Sequence, residues 1–173
     1  MTDKAKNNNP PSNINGKDIY RIAFETRNLE INLFWQRSNY FLVLNTGLAL
    51  GYFSLDRWEF SLPLSLFGLV TSILWYQVNL GSKFWQSRWE ERLAQIERTV
   101  APNFGMFSAD YQTMVEDVKK SQELRPPETK FRAWLNEQIL KKPSVSVRMT
   151  VLSMLFIFGW VLLIILTPLL GPE

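Results

Sequence analysis

The sequence predicts an all-α integral membrane protein with three transmembrane helices. The first two form a hairpin with long cytoplasmic helical extensions, and a small helical cytoplasmic segment precedes the third. Three observations carry this reading. The chain of 173 residues contains three long runs without a charged residue, its Lys and Arg lie almost wholly on one side of those runs, and its charged stretches repeat apolar residues at helical spacing. A mean hydropathy of −0.09 conceals this, because it averages two unlike kinds of sequence.

The uncharged runs are Ser38–Leu55, Phe60–Ser82 and Met149–Pro172, of 18, 23 and 24 residues. A helix rises about 1.5 Å per residue, so about 20 apolar residues cross a hydrocarbon core about 30 Å thick. The first run only just suffices. Buried helices of a soluble domain are the alternative, but they are usually shorter. The stretch Val151–Leu166 is apolar on every face, which suits lipid.

Residues 1–17 have no apolar stretch and read as a disordered tail rather than a signal peptide. Orientation follows from the cations. Residues 1–37 carry six Lys/Arg and residues 83–148 carry twelve; the Asp56–Glu59 turn carries only Arg57, and nothing basic follows the third run. By the positive-inside rule the N-terminus and the middle segment are cytoplasmic, while the turn and the C-terminus face outward. Trp35, Tyr40, Trp58, Trp75, Tyr76, Trp85 and Trp89 fall near the expected interfaces, as an aromatic belt does.

The first helix is expected from about Asp18 through Leu55, since no Gly or Pro falls between Lys17 and Asn45. The second continues past its span to Val100, where Pro102 ends it. Its extension presents Trp85, Trp89, Leu93, Ile96 and Val100 as one stripe. With Phe34 and Trp35 this stripe exceeds what one partner helix covers, so Phe34, Trp35, Trp85, Trp89, Leu93 and Ile96 are the expected stalk and oligomer interface. The short turn makes the extensions run side by side, bringing Glu25, Arg27, Glu30 and Arg37 towards Arg88, Glu90, Glu91 and Arg92 as stalk ion pairs rather than catalytic groups.

Two short helices complete the cytoplasmic segment, residues 101–147. Ser108 is the expected N-cap of one, with Tyr111, Met114, Val115 and Val118 on its apolar face. The other carries Phe131, Trp134, Leu135, Gln138 and Ile139 among Lys130, Arg132, Lys141 and Lys142. It either lies on an anionic membrane surface or packs against the stalk. Pro143–Ser144 opens the third span, which with a short outer tail occupies residues 148–173. The hairpin and stalk thus occupy residues 18–100.

The chain has no Cys and no His, which removes disulfides, Cys/His zinc sites, thiol nucleophiles and Ser-His-Asp triads. No catalytic, cofactor or metal residues are assigned, and a net charge of +3 implies no nucleic-acid partner. No small-molecule substrate is evident. The spans hold no ionisable group of the kind proton relays and most coupled transporters need. They do hold Asn45 beside Gly47-Leu-Ala-Leu-Gly51, a GxxxG spacing that allows close helix approach within the chain or between copies.

Three juxtamembrane blocks, Arg27–Asn45 (RNLEINLFWQRSNYFLVLN), Asn79–Glu91 (NLGSKFWQSRWEE) and Lys142–Ser146 (KPSVS), together resemble the RipA-like family of small bacterial inner-membrane proteins. The resemblance covers nearly the whole chain from about residue 18. It implies an octameric homo-oligomer in the bacterial cytoplasmic (inner) membrane, in contact with lipid, and carries over no catalytic residue. The expected function is therefore a self-assembling, non-enzymatic structural and interaction complex. The alternative is an oligomeric pore or membrane-disrupting effector with Asn45, Thr46 and Gln77 along a conduit.

Overall fold

The computed structural model describes residues 15–55, 58–141 and 144–169, and within these every regular element is an α-helix. The expected disordered tail (apart from residues 15–17), Asp56–Arg57, Lys142, Pro143 and the last four residues lie outside that description, as does the Trp58 side chain. The helices are α1 (Gly16–Phe53), α2 (Trp58–Val100), α3 (Tyr111–Glu123), α4 (Lys130–Leu140) and α5 (Val145–Leu166).

Two helices, α2 and α5, are long and apolar enough to cross a membrane by length and composition. The uncharged part of α1 has similar length, but Ser38, Asn39, Tyr40, Asn45 and Thr46 dilute its hydropathy. Asn15 caps α1, its side chain accepting from Lys17 N at 3.3 Å, so the helix begins slightly before the expected Asp18.

The first two helices form an antiparallel hairpin roughly 60 Å long. A Cβ on Gly16 would touch Val100 at one end, and one on Gly51 would approach Leu64 at the other. Between these lie the Arg27–Glu90 ion pair, the stacked rings of Phe41 and Trp75, and the Ser72–Asn45 hydrogen bond, all in one register. The seam on α2 is Ser61, Ser65, Gly68, Ser72, Trp75, Asn79 and Ser82, alternating steps of four and three. That spacing keeps one stripe facing a partner helix. Small residues there bring the helices close without a hydrophobic driving force, as membrane helices require.

The other flank of α2 receives α5. Here the expectation of an apolar surface on every side needs correction. Ser146, Ser153, Trp160 and Thr167 recur every seven residues and are all buried, while Val151, Leu155, Phe158, Leu162 and Ile165 point outward. One narrow face packs, and the rest suits lipid or another copy.

Trp75 also departs from expectation. It is fully buried against Phe41 and Phe156 rather than standing in an interfacial belt, whereas Trp35, Tyr40 and Trp85 are exposed. Helix α3 is capped by Asp110, whose carboxylate accepts from Thr113 N at 2.7 Å; Ser108, the expected cap, turns its N–H to Glu97 instead. Thr129 caps α4. Helices α3 and α4 pack on each other, with Gln122 Nε2 donating to Asn136 O at 3.4 Å, and neither buries a residue.

Candidate functional site

The α1–α2–α5 bundle is tied by a buried polar knot. Asn45 Oδ1 on α1 accepts from Trp160 Nε1 on α5 at 2.9 Å and lies 2.6 Å from Ser72 Oγ on α2. Asn45 Nδ2 donates to Phe41 O at 2.9 Å. Ser72 Oγ is also 2.8 Å from Gly68 O, so its one proton serves either acceptor. Asn45 and Ser72 are fully buried and Trp160 almost so. In an apolar setting an unpaired amide is costly, so these bonds specify one arrangement of three helices.

Gly68 makes room for the knot. A Cβ there would fall 2.3 Å from Trp160 Cε2, so only glycine lets the indole lie on the α2 backbone. Two further ties hold α5 along its length. Asn79 Nδ2 donates to Met149 O at 3.2 Å, and Tyr52 OH lies 2.8 Å from Thr167 Oγ1.

Asn45 is therefore turned inward and satisfied within the chain, which removes it from the conduit expected in the pore reading. Thr46 and Gln77 are exposed on different helices. The GxxxG pair divides: Gly51 packs on Leu64, while Gly47 has no other part of the described residues within 4 Å of a would-be Cβ.

In the stalk, the expected interface also divides. Leu93 and Phe34 are buried inside the chain, Leu93 beside Ala94 on α2, so neither is available to another copy. Trp89 and Ile96 are half-buried. Trp35 and Trp85 remain 41% and 46% exposed and are the members of the set that present free area. The stripe fails as one surface because Leu93 is buried within the chain while Trp85 stands exposed.

The ion pairs are fewer than expected. Arg27 Nη2 lies 3.4 Å from Glu90 Oε1, and the Arg27 guanidinium stands 5.4 Å from the Phe107 ring centroid. Glu30 and Arg37 form no ion pair among the described residues. Arg88 lies over the Trp85 ring at 5.7 Å, and Glu91 accepts from Gln95 Nε2 at 3.1 Å. In the observed register Arg27 meets Glu90, which leaves Glu30 and Arg88 off the shared line.

Glu97, which sequence reasoning missed, organises the stalk's far end. It is fully buried on α2 and accepts from three successive backbone N–H groups, Met106 at 2.8 Å and Phe107 and Ser108 at 2.7 Å each. Gly105, at φ 61°, supplies the left-handed turn that aims those amides back at the helix. Burial alone would raise the Glu97 pKa, but the backbone bonds outweigh it and lower the pKa below its ordinary value. Burial, then the Glu97 charge, raises the pKa of the Tyr20 phenol. No sequence motif marks Glu97. It lies one helical turn beyond buried Leu93, the only hint that its position faces inward.

A bundle with an internal polar knot and an apolar exterior defines a helical membrane protein. Residues 17–170 match the octameric membrane protein family (8xMP), and the chain belongs to that family. The family name marks it as an oligomeric membrane protein, in agreement with the octameric family its juxtamembrane blocks resemble. No curated protein and no solved structure matches.

Proposed function

We propose that the protein is a self-assembling octamer of the bacterial inner membrane that acts as a non-enzymatic structural and interaction complex. Each subunit crosses the membrane three times, with its N-terminus in the cytoplasm and its C-terminus outside. One observation carries the reading. Asn45, Ser72 and Trp160, each from a different uncharged run, meet at one level, and Tyr52 meets Thr167 towards one end. The three runs thus lie side by side, with Arg37, Lys83 and Arg148 just beyond them. A slab free of charge, carrying outward-facing Val, Leu, Ile and Phe, suits a hydrocarbon core.

The distribution of Lys and Arg supports the orientation. The non-enzymatic reading is supported by what the buried polar groups do: Asn45 joins helices and Glu97 holds a loop. Helices α3 and α4, with exposed Phe131 and Trp134 stacked at 5.9 Å, supply a cytoplasmic surface for contacts.

The chain has no cysteine, so single-cysteine variants report topology without background. With a membrane-impermeant maleimide, Arg57→Cys and Glu173→Cys should label in intact spheroplasts, and Ser12→Cys only after lysis. Labelling of Glu173→Cys only after lysis would defeat the three-span reading.

A further inference from the structure

A cavity of about 590 Å³ opens where the stalk meets the charge-free slab, and it is unlike the rest of the surface. Arg27, Trp35, Lys83, Gln86, Glu90 and Ser144 are among its lining residues. Its wall draws on α1, α2, the loop after α2, α3 and the first turn of α5. The cavity therefore forms only in the folded subunit.

Its electrostatics are unbalanced. Three charged groups line it, and Glu90 is spoken for by Arg27. Lys83 makes no hydrogen bond or ion pair among the described residues, although it is half-buried. Arg27 spends its donors poorly: two contacts at 3.4 Å, to Asn28 and Glu90, and none from Nε, which is buried. The first turn of α5 adds N–H groups without helical partners, and Ser144 gives them no side-chain cap. An anion placed there would meet one free ammonium, an under-used guanidinium and a helix N-terminus.

The cavity's position selects the source of that anion. Lys83 is the first residue past the uncharged run of α2, and Trp35 stands exposed beside it on α1. This is headgroup depth, with acyl chains continuing along the apolar exterior. We propose that this cavity binds the headgroup of an anionic glycerophospholipid, its phosphate at Lys83 and the α5 N-terminus. Gln86 and Glu90 offer acceptors, so a hydroxyl-bearing headgroup such as phosphatidylglycerol fits better than one bearing a second anionic group. The assignment rests on the three-span reading.

The test is native mass spectrometry of the full chain purified in detergent with phosphatidylglycerol or phosphatidylcholine added. Wild type should retain phosphatidylglycerol in preference to phosphatidylcholine, and Lys83→Gln should lower retention about tenfold, as loss of a charged hydrogen bond does. Arg27→Gln should weaken it too. Lys130→Gln, on exposed α4, should leave it unchanged. Equal losses in Lys83→Gln and Lys130→Gln would mean diffuse attraction to basic surface and overturn the site. Displacement of the lipid by millimolar inorganic phosphate would assign the cavity to a soluble anion and overturn the lipid assignment. Alkaline carbonate extraction separates the two levels. Protein that stays in membranes yet shows no lipid preference defeats this proposal alone, whereas protein that washes off defeats it together with the three-span reading.

Discussion

The Trp160 indole N–H on α5 donates to Asn45 Oδ1 on α1 at 2.9 Å, across 115 residues of sequence, and the same oxygen faces Ser72 on α2. Helices α1 and α5 both run antiparallel to α2 and pack on it, so this oxygen is where all three meet. Single interhelical hydrogen bonds in membranes are worth on average about 0.6 kcal/mol and at most about 1.7. Removing both partners' acceptor should exceed either bond alone.

Asn45→Ala should therefore destabilise the bundle by about 1–2 kcal/mol, and Trp160→Phe by less, since it deletes one bond and keeps most of the ring. SDS titration in mixed micelles, followed by tryptophan fluorescence or circular dichroism, measures both. In the Asn45→Ala background the Trp160→Phe effect should shrink, because the shared acceptor is gone.

Gly68→Ala puts a methyl group 2.3 Å from Trp160 Cε2. The indole must move, which breaks its bond to Asn45 as well, so the expected loss is about 1–3 kcal/mol. Most of that penalty should vanish in a Trp160→Leu background. An equal penalty in both backgrounds would mean the strain lies elsewhere.

Glu97 makes a pH-dependent contribution. Its folded pKa is depressed, so the stabilisation is present above its ordinary 4.5 and is lost as pH falls through the lower folded value. Glu97→Gln should accordingly loosen the 101–110 loop at neutral pH, with the difference from wild type closing only as pH falls below the ordinary glutamate range. Limited proteolysis in that loop, or amide exchange at Met106, Phe107 and Ser108, reads this directly.

A double-mutant cycle on Arg27 and Glu90 should give a coupling of about 0.2–1 kcal/mol, the range for exposed pairs. Glu30 with Arg88 should give none. Coupling in the second pair and not the first would shift the hairpin register.

The hairpin and its end at Val100 were legible because apolar period and punctuation agree there: Pro102 stops a helix whose apolar stripe runs through to Val100. What was not legible is which face does what. Leu93 and Trp85 look alike in sequence, yet one is buried within the chain and the other is exposed, since register depends on a turn whose geometry hydropathy does not encode. The packing face of α5 was hidden because Ser153 and Trp160 are isolated among strongly apolar neighbours, and a seven-residue repeat of unlike residues does not register as amphipathicity. Asp110 displaced Ser108 as a cap for a tertiary reason, the claim of Glu97 on the Ser108 amide.

The central claim is that these bundles assemble, with exposed Trp35, Trp85 and the outward face of α5 carrying contacts between copies or with lipid. Mass photometry of the full-length protein in mild detergent tests it most directly. The account predicts a single species of eight chains of 20.2 kDa, or about 162 kDa of protein beyond the micelle. A species of one chain's mass, under conditions where circular dichroism shows the helices intact, would contradict it.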